Sequence, residues 1–404
     1  MTATPPPARR PLRVFLGAFG QPGHAFPMLA LGAELAGRGH DVAYETWSRW
    51  RDHVEGAGMH FLAAPEYPVF PTRERPLNPY EAVVKATRDT RPSLAAFAPD
   101  VVVHDILTLA PALAAELESV PTATLIPHVY PAGEPGLPPF GLGARPPRTR
   151  AGVALWNAFE RPVRAGLDRG RAQLNDTRRR LGLAPVDRLH GGLSQRLTLV
   201  ATMPQLEYPR SWPAHVHVVG PLIWEPPAEP VDPPPGDAPL VLVAPSTAQD
   251  AEHRLLRAAL AGLADEPVRV LATWNRRPLP GPARVAANTR LVQWLSYERA
   301  MSACALVVCH AGHGTLVRAL ASSTPVVAVP HVGDMAENAA RVAWAGAGLR
   351  LPWPLLAPGT LRRAVRRALA RPELAHHAAQ FGDWAALHPG TARAADLVEA
   401  LARG

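Results

Sequence analysis

The chain has 404 residues, a length that suits two globular domains and excludes a single small module. Apolar residues make up 47% and charged residues 19%, enough to bury a sizeable core and unlike a disordered protein, and no apolar run approaches the about 18 residues a membrane span requires. The formal charge is +8, but Lys85 is the only lysine among 42 basic residues and the arginines are dispersed, a pattern of GC-rich coding that argues against a nucleic-acid or membrane partner.

The start, MTATPPPARRPL, carries neither an apolar signal region nor a cleavage pattern. Residues 1–11 are therefore expected to form a disordered leader, and the protein to be cytoplasmic. Strands are expected at 12–18, 41–46, 101–105 and 122–126. Helices are expected at 25–38, 79–97, 109–118 and 151–181, the last after a long proline- and glycine-rich loop at 127–147. Short β-branched runs alternating with Ala/Leu-rich helical patterns indicate α/β architecture with parallel sheets. The proline-dense stretch 220–239 can sustain neither a helix nor a central strand and reads as an interdomain linker. Alternation restarts with strands at 240–244, 268–273, 290–294, 306–310 and 325–330, and helices at 251–263, 314–321, 336–345, 361–370 and 391–403. The expected units are an N-terminal domain over 12–219, a C-terminal domain over 240–385, and a last segment, 386–404, whose helix packs back on the first domain. Cys304 and Cys309 sit in an apolar stretch and read as core residues, matching neither a metal site nor a disulfide scaffold.

Three loops carry chemistry. In RVFLGAFGQPGHAFP an apolar strand runs into Gly17, Gly20 and Gly23, and His24 opens a helix. The spacing G-x-x-G-x-x-G is not the dinucleotide fingerprint G-x-G-x-x-G, although Glu45 at the end of the next strand would suit a ribose. A histidine at a helix start lies near the positive dipole end, which favours a neutral base, and at the carboxyl end of a parallel strand, where α/β folds hold ligands. Its other reading is a histidine that only bonds the turn. The second loop follows PDVVVHD: Asp105 reaches the same edge and would orient His24, or else caps the next helix. His104 points to the opposite strand face and reads as packing. In the third, a strand ends at His310 and HAGHGT turns directly into a helix, a cradle of backbone N–H groups suited to a diphosphate. No Gly-Lys-Ser/Thr follows, so triphosphate hydrolysis is disfavoured.

The segment from LVQWLS through HAGHGT to HVGDMAEN resembles the donor-binding signature of GT-B, inverting, family 1 nucleotide-sugar glycosyltransferases, especially the actinobacterial enzymes that decorate macrolides, enediynes and other natural products. Gly23, His24 and Pro27 match the family's GHxxP element, and with Asp105 and the two-domain length the resemblance covers nearly the whole chain. It implies two Rossmann-like domains with parallel sheets facing across a cleft. It implies that Trp294 stacks on the nucleobase, with the Leu295 backbone at the base edge. His310, Gly312, Gly314 and Thr315 would contact the diphosphate, with His313 beside them, and Ser246 and Thr247 would approach the phosphates. Asp334 would hold sugar hydroxyls, Met335 follows it, and Asn338 closes the motif. His24 and Asp105 would be catalytic. No metal or other cofactor is implied; the donor is a dTDP- or UDP-sugar.

Three positions depart from the family pattern. Arg318 stands where many members place a glutamate that holds both ribose hydroxyls; it either disfavours a 2′-hydroxyl or is a solvated helix residue. Met335 replaces a glutamine, which favours a sugar with fewer hydroxyls or marks a gap-filling apolar side chain. Ser296 and Tyr297 replace Pro-Gln. Aromatic and histidine side chains at Phe19, Phe26, Tyr67, Phe70, Tyr80, His128, Tyr130 and Phe140 are candidates for an acceptor pocket, or for local packing.

The reading is a metal-independent transferase moving a sugar, a deoxysugar from dTDP, onto a hydroxyl of a small lipophilic acceptor, as a monomer or homodimer. A nucleotide-sugar 2-epimerase on the same fold, a dinucleotide oxidoreductase and a non-catalytic nucleotide-binding partner protein are the rivals. An apolar, basic face for docking to a membrane, as lipid-linked substrates would require, is not found in the sequence.

Overall fold

The structure, a computed structural model, describes residues 10–65 and 79–404 except 248, 278, 280, 282 and 332, and describes positions 79 and 80 by backbone alone. A first sheet contains β1 (Arg13–Gly17), β2 (Asp41–Thr46), β3 (His60–Ala63), β4 (Val101–Asp105), β5 (Thr122–Ile126), β6 (Leu197–Val200) and β7 (Val216–Val218), in the order β3-β2-β1-β4-β5-β6-β7. A second contains β8 (Leu240–Ala244), β9 (Arg269–Thr273), β10 (Thr289–Val292), β11 (Leu306–Cys309), β12 (Val326–Ala328) and β13 (Gly348–Arg350), in the order β10-β9-β8-β11-β12-β13. Every pairing in both sheets is parallel. Parallel strands covered on both faces read as continuous apolar runs, and VFLG, VVV, LVLVA and LVVC are almost wholly buried. The strand order reverses between β1 and β4 in the first sheet and between β8 and β11 in the second, so each sheet opens a crevice at its carboxyl edge there.

The stretch 220–239, expected as a linker, contains no helix or strand. The last helix, Gly390–Arg403, returns to the first sheet: Ala394, Ala395 and Val398 are buried in one cluster with Leu12, Val14 and Leu35. Arg38 of the helix Pro22–Gly37 and its C-cap bonds Asp396 and Glu399 at 2.6 and 2.9 Å across that seam. Of the expected leader, residues 1–9 lie outside the described residues, while Arg10 bonds Asp100 at 2.6 Å.

Several elements differ from expectation. The single helix expected at 151–181 is two, Arg150–Ala158 and Glu160–Arg180, because Pro162 lacks the N–H to continue the ladder and its ring disfavours helix immediately upstream. Strands β3, β6, β7 and β13 and helices Tyr297–Met301 and Pro372–Leu387 were not anticipated; the strands span three or four residues, too few for a periodicity to emerge. Pro372 opens its helix at the first turn, where its missing N–H costs nothing.

Candidate active site

β1 delivers the chain to Gly20, where a Cβ would overlap the Trp47 ring, so only glycine lets this loop lie flat against the end of β2. The Gly20 carbonyl accepts from Trp50 Nε1 at 2.8 Å and from Arg49. That anchoring sets His24 in the first turn of Pro22–Gly37, directed at Asp105 on the end of β4. His24 Nδ1 and Asp105 Oδ1 are 2.7 Å apart. Asp105 is fully buried and also accepts from the Phe19 N–H at 3.1 Å, the Leu107 N–H at 3.3 Å and Thr108 Oγ1 at 3.2 Å. A carboxylate held by donors on every side stays ionised, and burial, which opposes this, is outweighed by His24 and the N–H groups that hold it below its ordinary range. Because Asp105 only accepts, Nδ1 carries the ring proton, and Nε2 is left unpaired among the described residues.

Helix-start placement was to favour the neutral imidazole; burial pushes the same way, but the charge and hydrogen bond of Asp105, with Asp334 adding across the cleft, raise His24 above the ordinary histidine value.

The second domain supplies the facing wall. β11 ends at His310, whose Nδ1 lies 3.3 Å from the Ala244 carbonyl. Gly312 passes so close beneath that ring that a Cβ would overlap it. Ala311 adopts a left-handed φ of 64°, sparsely populated for a residue with a Cβ, and Asn338 secures the turn by donating to the Ala311 carbonyl at 3.0 Å. Asn338 also donates to Asp334 at 2.9 Å, tying the acidic residue to the turn. The helix His313–Ala321 then begins at Gly312 with no side-chain cap and no acidic residue in its first turn. The N–H groups of His313, Gly314 and Thr315 have no partner among the described residues, which leaves them for an anion. His313 is buried and reaches both domains, 3.4 Å from Asn338 Oδ1 and 3.3 Å from the Ala201 carbonyl beyond β6; burial, reinforced by His128, lowers its pKa to about 4. Ser246, after β8, is buried and receives the Gln249 N–H at 2.8 Å; Thr247 follows, half-buried. Trp294 and Leu295 follow β10, the indole half-buried and the Leu295 side chain in the core.

Asp334 is close enough for its charge to act on His24, His128, His310 and His313. The cleft therefore gathers His24, Asp105 and His128 from the first domain with His310, His313 and Asp334 from the second. His104 is instead a core residue, bonded to Thr124 at 2.8 Å.

The candidate acceptor residues divide. Phe19 stands edge-on to His24 with ring centroids 6.1 Å apart, and His128 stacks on Phe140 at 5.5 Å. Phe26 is turned the other way, packed on Trp50 and the linker residue Trp224, and Tyr130 is buried against Arg210 and Trp212. Aromatic rings near a cleft bury themselves in whatever apolar surface is nearest, and for these two that surface is behind it. Tyr67 and Phe70 lie outside the described residues, as does the side chain of Tyr80.

Arg318 and Met335 are both buried. Arg318 is not solvated: it is 8% exposed, its guanidinium pairs with Glu225 of the linker, and it donates to the Trp224 carbonyl at 2.8 Å. Glu225 has its remaining capacity filled by Ser296 Oγ and by the N–H groups of Tyr297 and Glu298 at 3.1 and 3.4 Å. Met335, expected at the sugar, lies with Val129, Ala311 and Leu316 in the apolar cluster of the second sheet. Sequence reasoning missed Glu225 because nothing in a proline-rich linker marks one glutamate as an ion-pair partner. Glu45, the rival ribose ligand, is buried and bonded by Thr90 at 2.9 Å.

A sequence model for the erythromycin biosynthesis protein CIII-like C-terminal domain matches residues 256–401. The chain is 29% identical over 432 aligned residues to 4'-demethylrebeccamycin synthase of Lentzea aerocolonigenes, covering 96% of this chain and 99% of the relative. It is 32% identical over 145 residues to 3-alpha-mycarosylerythronolide B desosaminyl transferase of Saccharopolyspora erythraea, covering 36% and 34%. The calicheamicin glycosyltransferase CalG4 superposes with a TM-score of 0.77 at 25% identity, over 97% of this chain and 98% of that one. The glycosyltransferase VinC, determined in complex with dTDP, superposes with a TM-score of 0.72 at 22% identity, over 97% and 100%. None of these relatives supports the epimerase alternative. Two parallel α/β domains, a histidine–carboxylate pair facing an uncapped helix start, and these relatives make the chain a glycosyltransferase of the GT-B fold, similar to the antibiotic glycosyltransferases of actinobacterial natural-product pathways.

Proposed function

We propose that the protein transfers a sugar, a deoxysugar carried by dTDP, with inversion onto a hydroxyl of a small lipophilic acceptor. The observation that carries this reading is His24, held by Asp105 at 2.7 Å, with Nε2 unpaired among the described residues and the charge of Asp334 acting on the ring. The acceptor O–H proton passes to His24 Nε2 as its oxygen attacks the anomeric carbon, and the bond from that carbon to the diphosphate breaks on the opposite side. Asp105 fixes the tautomer and stabilises the imidazolium that forms. The N–H groups of His313, Gly314 and Thr315 receive the charge of the departing diphosphate, with His310 alongside. His310 donates its Nδ1 proton to the Ala244 carbonyl, and burial holds its pKa below the ordinary histidine value, so the N–H groups carry the assignment of the leaving-group charge. Phe19, His128 and Phe140 contribute to the acceptor side, and Asp334 faces the sugar. Trp294 stacks on the base, with the Leu295 backbone at its edge and Ser246 and Thr247 toward the phosphates.

Because fixed N–H dipoles are assigned the leaving-group charge, excess EDTA should leave turnover unchanged. Activity lost to EDTA and restored by magnesium would contradict that assignment.

The donor preference is tested by titrating the protein with dTDP and UDP. Arg318 presents no acceptor to a 2′-hydroxyl and Glu225 is saturated, so a buried ribose hydroxyl would stay unpaired. That costs about 1 to 3 kcal/mol, or roughly 5- to 150-fold weaker binding for UDP. The structural neighbour VinC was determined in complex with dTDP, which agrees with this preference. Equal affinities would overturn the dTDP assignment and leave the transferase reading in place.

A further inference from the structure

We infer that Arg276 is a positioning residue for the donor's nucleobase, acting through Trp294; the inference rests on the reading that Trp294 stacks on that base. Trp294 is held loosely for a residue with such a task. Its ring is half-buried, its Nε1 is buried with no hydrogen-bond partner, and no other ring stacks on it among the described residues. What does lie on it is the guanidinium of Arg276, 4.8 Å from the ring centroid. Arg276 is exposed, and its side chain makes no ion pair or hydrogen bond among the described residues, so the indole face is its single directed contact.

The backbone is arranged to put it there. After β9 two consecutive residues, Asn275 and Arg276, take left-handed φ values of 52° and 60°. Asparagine tolerates this region, whereas arginine adopts it rarely, and such a turn persists only where its surroundings over-determine it. Here they do. Asn275 donates its backbone N–H to Thr273 Oγ1 at 3.1 Å and its side-chain amide to the Pro245 carbonyl at 2.6 Å, and accepts from Tyr297 at 3.3 Å. The Arg276 N–H reaches the Gln293 carbonyl, next to Trp294, at 3.0 Å. Arg277 bonds the Gln249 carbonyl in the loop that carries Ser246 and Thr247. The turn is thus pinned to the ends of β8 and β10, both of which lead into the donor site, and its product is one cation laid on one indole. A cation on an aromatic face fixes the ring's orientation and draws electron density toward itself, leaving the far face pre-set for a pyrimidine.

The test is calorimetric titration with dTDP and with inorganic pyrophosphate, on the parent protein and on Arg276→Ala, Arg276→Lys, Trp294→Ala and the Arg276→Ala/Trp294→Ala pair. Arg276→Ala should weaken dTDP about 3- to 30-fold and leave pyrophosphate unchanged, while Arg276→Lys, which keeps the cation, recovers most of the loss. In the Trp294→Ala background the same substitution should add nothing. In turnover the loss should appear in the donor KM, with kcat and acceptor KM near the parent values. Unchanged or tighter dTDP binding by Arg276→Ala would overturn the inference, the latter meaning that the guanidinium covers the face the base needs. A loss that adds to that of Trp294→Ala, or that extends to pyrophosphate, would mean a phosphate contact instead. If Trp294→Ala binds dTDP like the parent, the base-stacking reading itself fails, and Arg276 with it.

Discussion

His24→Ala should lower turnover by roughly 100- to 10,000-fold while dTDP affinity stays within a few-fold, because the substitution removes the proton acceptor and touches none of the donor wall. Asp105→Asn should cost less in rate and should also move the pH profile. In the parent, Asp105 raises His24 above the ordinary histidine value of about 6.5, so the neutral base accumulates, and kcat/KM climbs, only as pH rises through that elevated value. An amide at position 105 removes the main raising charge and leaves burial opposed only by Asp334, so the limb should shift to lower pH. The linked stability runs the other way: the His24–Asp105 pair stabilises the fold most below the unfolded histidine pKa and loses that contribution as pH rises through the folded one. Near-normal turnover by His24→Ala, or an unchanged limb in Asp105→Asn, would remove His24 from the role of base.

Arg341→Ala should destabilise the protein by about 3 to 5 kcal/mol, read as a lowered urea midpoint. Arg341, in the helix Met335–Trp344, is buried at the seam between the domains. It bonds Glu337 of its own helix at 2.8 Å, and Glu207 and the Leu206 carbonyl of the first domain at 2.8 and 3.0 Å. The two carboxylates are themselves committed: Glu207 accepts the Tyr130 N–H at 2.7 Å, and Glu337 the N–H groups of Gly141 and Gly143 at 3.2 and 3.3 Å. The long loop at 127–147 is thereby fastened to the second domain. Burial already raises Glu207 despite Arg341. Without the guanidinium both carboxylates are left buried and uncompensated. Burial of Glu207 then acts without the opposing charge of Arg341, which raises its folded pKa further, so the variant's deficit should be largest near neutral pH and shrink as pH falls. Replacing all three, as Arg341→Met with Glu207→Gln and Glu337→Gln, should recover most of the loss, since the glutamine carbonyls can still accept from Tyr130, Gly141 and Gly143. A loss below about 1 kcal/mol for Arg341→Ala would mean that the seam is hydrated in solution.

The α/β class, the strands that end at Gly17, Asp105, Ala244 and Cys309, and the loops that follow them are legible in the sequence because buried parallel strands leave unbroken apolar runs and the turns after them need glycine. Those runs place His24, Asp105 and HAGHGT at sheet edges before any coordinate is known. Local pattern goes no further than that, since it reports how a residue sits in its own element and nothing about what meets that element from elsewhere in the chain. Arg318 looks solvated from its helix and is paired by a glutamate 93 positions away. Phe26 and Tyr130 look like pocket residues and are turned into packing. The sign of the His24 shift follows from a carboxylate 81 residues downstream and a second one in the other domain, not from the helix start that the sequence shows. Which charges face each other is a property of the folded arrangement, and in a buried site those pairings outweigh the local dipole because little water is left to screen them.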